Sequence, residues 1–208
     1  MWRDFQNAWR GMANMKITAT DAPDLSECLT FRWAFYGCSV MNADIGHWDV
    51  SNISTFGSCF NLCFAFNNGG SPSINNWNTS GGSYNKFEYM FSSCYKFNQP
   101  LNNWDVSAGT TFLSTFYRCY EFDQDLNSWD VSNAINFNDM FRQCFVFNGD
   151  ITTWTFKTTG SISGYNFLNS CRLFNQDISG WNTERFTSFQ GMFAGCYAFN
   201  QDIGGWNT

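Results

Sequence analysis

The chain has 208 residues, of which 13% are charged, and its net charge is −6. The 11 Lys and Arg residues form no cluster, which excludes nucleic acid as the expected main partner. No apolar run approaches the ~20 residues that cross a bilayer, so we expect no membrane insertion by this segment. The 24 Phe and 10 Trp residues indicate a core built from aromatic rings.

Residues 1–23 open the chain without a clear repeat, and we predict that they form an N-terminal cap or a decayed repeat. Terminal units of repeat proteins are expected to be atypical because one face meets solvent. No apolar stretch follows Met1-Trp2-Arg3-Asp4, so this segment does not predict a signal peptide.

From residue 24 onward the sequence repeats with a basic period of 25 residues. This self-similarity predicts a single solenoid domain of about seven repeats over residues 24–208, with an uncapped C-terminal end. Cysteine and tryptophan recur at equivalent positions of successive repeats, here called columns, and we expect both columns to form structural ladders in the interior. The cysteine column is Cys38, Cys63, Cys94, Cys119, Cys144, Cys171 and Cys196. The tryptophan column is Trp48, Trp77, Trp104, Trp129, Trp154, Trp181 and Trp206.

Each repeat carries two predicted elements. The segment Ile-x-x-Trp, followed by Asp or Asn, predicts a short strand that is stable only when it is paired with its copies. Residues 136–147 place apolar side chains at 137, 140, 141, 144 and 147, which is the spacing of one helical face. We therefore predict an α/β solenoid, a right-handed leucine-rich-repeat-like stack with one short parallel strand and one short helix or 3₁₀ turn per repeat. The alternative is a pure β-solenoid without a helix.

Short insertions interrupt this period at residues 68–72, at residues 81–82 and near Gly160. Insertions in repeat arrays map to loops on one face, which often carries contacts. Neutral drift in repeat length is the other explanation for them.

The fullest copy of the repeat is Phe122-Asp123-Gln124-Asp125-Leu126-Asn127-Ser128-Trp129-Asp130-Val131-Ser132-Asn133. Repeats of this form resemble those of the BspA-like family of bacterial surface proteins. The resemblance covers about residues 24 to 208 and recurs in every repeat. It implies a leucine-rich-repeat-like surface protein with an adhesive or protein-binding role and without catalytic residues. This chain departs from the family pattern at the column-cysteine position, where the family has a small residue.

The nine cysteines are an odd number, which excludes a monomer with every cysteine in a disulfide. We favour buried thiols that act as small apolar side chains, and stacked disulfides or metal ligation are the alternatives. Zinc is disfavoured because the chain has a single histidine, His47, and no Cys-x-x-Cys pair. We therefore predict neither a metal site nor a cofactor.

A further column of Asn and Asp follows the second Phe of each repeat. Side chains in register favour a ladder of hydrogen bonds to their copies and to the backbone. Calcium bound by these oxygens and nearby Asp residues is the alternative. The column is Asn42, Asn67, Asn98, Asp123, Asn148, Asn175 and Asn200.

The residue after each column cysteine is aromatic in most repeats. An exposed row of this kind predicts a binding surface, either a stacking platform for sugars or an apolar strip for a protein partner. A row that packs beside the core would only fill space. The predicted binding residues are Phe64, Tyr95, Tyr120, Phe145 and Tyr197.

No catalytic motif accompanies these columns, and we expect a non-catalytic repeat protein rather than an enzyme. The expected function is protein–protein or adhesive binding at the cell surface or outside the cell. One alternative is a structural subunit that self-associates end to end in a larger filament or complex. A second alternative is a glycan-binding module.

Overall fold

The computed structural model describes residues 4–82 and 85–207. Successive repeats lie on one another, and backbone hydrogen bonds join each repeat to the next. The Phe116 N–H donates to the Met140 carbonyl at 2.9 Å, and one repeat later the Phe141 N–H donates to the Phe167 carbonyl at 3.0 Å. A continuous hydrophobic core from Phe5 to Trp206 runs through this stack of repeats.

The predicted strand and helix of each repeat are absent from the described part of the chain. Its helices are two short 3₁₀ segments, Asn68–Gly70 and Pro72–Asn76, and both lie at the first insertion. Its β-pairing consists of isolated parallel bridges without any sheet. The bridges are Thr30 to Thr55, Thr111 to Asn136, Asn136 to Ser163 and Ile162 to Phe186. The prediction of an α/β solenoid is therefore wrong, and so is the pure β-solenoid alternative.

Successive backbone N–H groups donate alternately to the next repeat and to their own repeat, and this explains both errors. In the stretch predicted as a helix, the N–H groups of Phe137, Asp139 and Phe141 donate to the next repeat, at 2.8 to 3.0 Å. The N–H groups of Met140 and Arg142, between them, donate to carbonyls three residues earlier in their own repeat. In a helix every interior N–H donates within the helix itself, and a sheet needs extended segments longer than these single bridging residues. The chain is instead a series of tight turns.

Left-handed residues produce these turns. Two columns, five residues and one residue before the column cysteine, have positive φ, as in Asp139 with φ of 55° and Gln143 with φ of 64°. Such values interrupt a right-handed helix, and they are uncommon for residues with a Cβ. Bulky residues adopt them here as well, including Trp33 and Leu62, because the hydrogen bonds to the next repeat fix the backbone on both sides.

Backbone pairing continues into the N-terminal segment. The N–H groups of Phe5 and Trp9 donate to the carbonyls of Thr30 and Ala34, at 3.3 and 2.9 Å. The Trp9 ring stacks on Phe35 with a centroid separation of 4.8 Å. The division of the chain at residue 23 stays a prediction. None of the helices in the described ranges has the length and apolar character that a bilayer crossing requires.

Rings fill the interior in continuous stacks. Phe91 lies 5.8 Å from Phe116, and Phe116 lies 5.5 Å from Phe141, with the ring planes within 8° of parallel. Offset stacking of this kind adds about 0.5–1.5 kcal/mol per pair to the burial of apolar area. The repeat is therefore stabilised mainly by contacts with its neighbours along the stack.

Lys86 is a buried cation eight residues before the column cysteine Cys94. The other repeats have Thr, Asn or Ser at this position. Lys86 is 1% exposed, and its Nζ donates to the Thr79 carbonyl at 2.8 Å. The ammonium group lies 5.6 Å and 5.8 Å from the ring centroids of Phe56 and Phe87. Burial lowers the pKa of Lys86 to about 8. The folded protein therefore binds the Lys86 proton more weakly than the unfolded chain does.

We expect Lys86→Met to raise the free energy of unfolding at pH 7 by roughly 1–3 kcal/mol, because the charged amine is costly to bury. The contribution of Lys86 alone becomes less destabilising as the pH rises from about 8 towards the ordinary lysine value of 10.5. The advantage of the variant should therefore be largest below pH 8 and smaller at pH 9. Urea unfolding at both pH values measures it, and an advantage that does not change with pH would contradict this role for the charge.

Candidate functional site

The tryptophan column lies inside the stack and is fully hydrogen-bonded from its second member onward. The Trp129 Nε1 donates to the Leu101 carbonyl of the preceding repeat at 2.9 Å, and the Trp154 Nε1 donates to the Leu126 carbonyl at 2.7 Å. Equivalent bonds are made by Trp77, Trp104, Trp181 and Trp206. Each indole thus connects two repeats through the packing of its ring and one hydrogen bond, so the tryptophan column has a structural role.

The cysteine column also lies in the interior, except that its last member, Cys196, is half-buried, and every cysteine is a free thiol. The Cys119 Sγ donates to the Phe91 carbonyl at 3.0 Å, and the Cys144 Sγ donates to the Phe116 carbonyl at 3.0 Å. Burial raises the pKa of both thiols. They stay protonated at neutral pH, and a protonated buried thiol is a poor nucleophile and a poor metal ligand.

The Asn and Asp column forms a continuous ladder. The Oδ1 atom of each side chain accepts the backbone N–H of the next member, for example from Asn148 to Asn175 at 2.8 Å. Asp123 takes part in the same way and accepts the Asn148 N–H at 2.7 Å. These oxygens are therefore already engaged by the protein. The described residues contain no group of three or more His, Cys, Asp or Glu side chains that could hold a metal ion.

Four of the five predicted binding residues form a second stack of rings outside the core, which we call the aromatic strip. It consists of Phe64, Tyr95, Tyr120 and Phe145, with successive ring centroids 4.7, 4.6 and 4.9 Å apart. The Arg172 guanidinium lies 4.2 Å from the Phe145 centroid and continues the strip. Tyr197, one repeat further on, is 82% exposed and stands apart from the stacked rings.

Ring geometry determines what the aromatic strip offers to a ligand. The faces of Tyr95 and Tyr120 are covered by their neighbours, so their edges and hydroxyl groups are what remains to meet a ligand. Ring edges carry positive charge density and attract carbonyl and carboxylate oxygens. Burial, and next to it the Tyr95 side chain, raises the pKa of Tyr120. The Tyr120 hydroxyl therefore stays a hydrogen-bond donor at neutral pH.

The column two residues after the column cysteine borders the aromatic strip, and we did not predict it as part of a site. It contributes exposed Val40 and Leu173, together with an ion pair between Lys96 and Glu121. Apolar and charged side chains mix at this position, so the sequence gives no uniform column there. The strip with this border is a mixed apolar and charged surface of the type found at protein interfaces.

A comparison with family models matches most of the chain. The model described as Mycoplasma protein of unknown function, DUF285, matches residues 3–83, 71–165 and 162–208. No curated protein and no solved structure matches the chain.

Proposed function

The chain belongs to the DUF285 family, and from that premise we propose that it is a non-catalytic repeat protein that binds another protein through the aromatic strip. We also propose that its repeats are BspA-like, which favours a location at the cell surface or outside the cell. Adhesive binding agrees with this location and with binding through the aromatic strip.

The aromatic strip carries this proposal. Four rings and one guanidinium are held outside the core in a rigid row, although the core has its own ring stacks. Tyrosine and arginine are enriched at the centres of protein interfaces, where pre-ordered side chains lose little entropy on binding. A rigid row of Tyr95, Tyr120 and Arg172 fits that description.

The same geometry supports a protein rather than a sugar as the partner of the strip. A sugar stacks its C–H groups on the open face of an aromatic ring. In the aromatic strip, the faces of Tyr95 and Tyr120 are occupied by other rings. Ring edges and hydroxyl groups suit the carbonyl and carboxylate groups of a protein surface better.

The test is the double variant Tyr95→Ser with Tyr120→Ser, against the matched control Tyr165→Ser, which removes an exposed ring outside the strip. Purified extracellular and cell-surface proteins are screened on an array, and affinities are measured by surface plasmon resonance. We expect the wild type to bind at least one protein, the double variant to lose roughly tenfold or more in affinity, and Tyr165→Ser to bind normally.

Equal binding by the double variant would contradict the proposal. Analytical ultracentrifugation of the wild type tests the assembly alternative. Concentration-dependent filaments without any bound protein would favour an end-to-end structural subunit instead. Binding to a neutral glycan array that is lost in the double variant would favour the glycan-binding module.

A further inference from the structure

A groove of about 300 Å³ crosses five successive repeats on a face formed by residues just before the column cysteines. Its volume is at the lower end of the range for ligand pockets. We propose that this groove binds an acidic saccharide, meaning a sugar ring that carries a carboxylate, at a site separate from the aromatic strip. We call it the serine groove after the residues of its floor, Ser92, Ser93 and Ser114.

The floor presents hydroxyl groups without protein partners. Ser92, Ser93 and Ser114 are 4%, 3% and 5% exposed, yet their hydroxyls make no hydrogen bond to any described residue. Among the side-chain N and O atoms of the described residues, only the Arg142 Nε is both fully buried and without a partner, so the three hydroxyls are open to the solvent of the groove. Because all three residues line the groove, a polar ligand there would replace that solvent as their hydrogen-bond partner.

The backbone N–H groups of these serines are already used within the protein. The Ser92 N–H donates to the Tyr89 carbonyl at 3.2 Å, and the Ser93 N–H donates to the Tyr117 carbonyl at 2.6 Å. A peptide strand that pairs through its main chain would find these donors already used. The floor therefore favours a ligand that carries many hydroxyl groups over an extended peptide.

Positive charge collects at one end of the groove. The Arg118 Nε donates to the Gln143 Oε1 at 2.9 Å, and the guanidinium lies 4.9 Å from the Tyr117 ring centroid. Arg142 lies 5.8 Å from the same ring and donates from Nη1 to Asp139 at 3.1 Å. Its Nε is buried without a partner. Two cations against one carboxylate leave this end positive in a chain of net charge −6.

These features together identify the ligand class. Guanidinium groups form forked, charge-assisted hydrogen bonds with carboxylates, so Arg118 and Arg142 select an anion. The serine hydroxyls match sugar hydroxyls as both donors and acceptors. Tyr89 also lines the groove and adds aromatic surface on which the apolar C–H groups of a sugar ring pack.

The experiment compares three probes by isothermal titration calorimetry and saturation-transfer NMR with the full chain. Glucuronic acid carries both ring hydroxyls and carboxylate, glucose lacks the carboxylate, and the peptide Gly-Glu-Gly lacks the sugar ring. We expect glucuronic acid to bind roughly tenfold more tightly than either of the other two. Raising the salt concentration should weaken glucuronic acid more than glucose.

Two variants connect this binding to the groove. Arg118→Gln should weaken glucuronic acid roughly tenfold, whereas Arg172→Gln, on the aromatic strip, should leave its affinity unchanged. Ser93→Gly removes a floor hydroxyl, and glycine accepts the φ of 62° found there, so it should weaken glucuronic acid without destabilising the fold. Thermal unfolding of each variant verifies that the protein is folded.

Several outcomes would overturn the proposal. If glucose bound as tightly as glucuronic acid, the carboxylate of the ligand would have no role in binding. Gly-Glu-Gly that binds as tightly would identify an acidic-peptide site instead. Unchanged affinity in both Arg118→Gln and Ser93→Gly would place the binding elsewhere, and the absence of saturable glucuronic acid binding would refute the site.

Discussion

Raising the pH from 8 to about 10.5 is expected to unfold the protein cooperatively. Eight of the nine free cysteines are buried, and burial raises the pKa of Cys94, Cys119 and Cys171 well above the ordinary value of 9.0. The unfolded thiol ionises first, so each pH unit above 9 favours the unfolded state by about 1.4 kcal/mol per buried thiol. Added over the buried thiols, this effect outweighs the opposite change at Lys86 and reaches a large part of the stability of a whole domain at pH 10.

Circular dichroism and thiol absorbance at 240 nm, followed together during a pH titration, measure this transition. Both signals should change at the same pH, because the thiols ionise only when the stack opens. Cys119→Ala provides the control, since it removes one buried thiol and should make stability fall less steeply above pH 9. Thiol ionisation near pH 9 without loss of folded structure would show that the cysteines are not held in the interior.

Trp129→Ala is expected to lower the free energy of unfolding by about 3–5 kcal/mol. The indole is 3% exposed, packs 5.7 Å from Phe112 and 6.0 Å from Phe116, and bonds to the Leu101 carbonyl. The substitution leaves a cavity between repeats and removes one of the two hydrogen bonds that the Leu101 carbonyl accepts, the other coming from the Trp104 N–H at 3.1 Å. Urea unfolding followed by circular dichroism measures the change.

Two controls separate the contributions of the Trp129 ring and its N–H group. Trp129→Phe keeps a ring but loses the bond to the Leu101 carbonyl, so we expect a smaller loss of about 1–3 kcal/mol. Tyr165→Ala removes an exposed ring and should change stability by less than about 0.5 kcal/mol. Similar losses for Trp129→Ala and Tyr165→Ala would mean that the tryptophan column does not hold the repeats together.

The columns were readable from the sequence because stacking brings equivalent residues together. Once Trp181 and Trp206 recur at the spacing of one repeat, the stacking of their rings at 6.0 Å follows without knowledge of the local backbone. The aromatic strip followed from the same logic, since Tyr95 and Tyr120 occupy one column. What a repeat contributes to its neighbour was therefore predictable from its period alone.

The local backbone was not predictable in this way. The spacing of Phe137, Met140, Phe141 and Cys144 is that of a helix, but a chain of tight turns places the same residues on one side. The signal that decides between them is positive φ at positions such as Asp139. Those columns also contain Trp, Leu, Tyr, Arg and Gln, so they do not show the Gly and Asn preference by which left-handed residues are usually recognised.

The N-terminal pairing and the serine groove were missed for a related reason. Phe5 and Trp9 precede Phe31 and Phe35 by 26 residues rather than 25, so they fall outside the regular frame. The groove depends on columns that differ from repeat to repeat, with serine in the middle and Tyr36 and Arg142 towards the ends. A search for identical residues excludes positions of this kind.

Near-identical repeats carry a hazard for folding, since a repeat that docks on the wrong copy keeps most of its contacts. Such a slip costs one interface and the closure of a loop of one repeat, and loop closure is cheap. The insertion at residues 68–72 opposes it. The Asn68 Oδ1 accepts the Ile45 N–H at 2.9 Å, and the Asn68 Nδ2 donates to Asp44 at 3.2 Å. A slipped arrangement that leaves this insertion without its neighbouring repeat loses these bonds, so the irregular segment favours the native pairing.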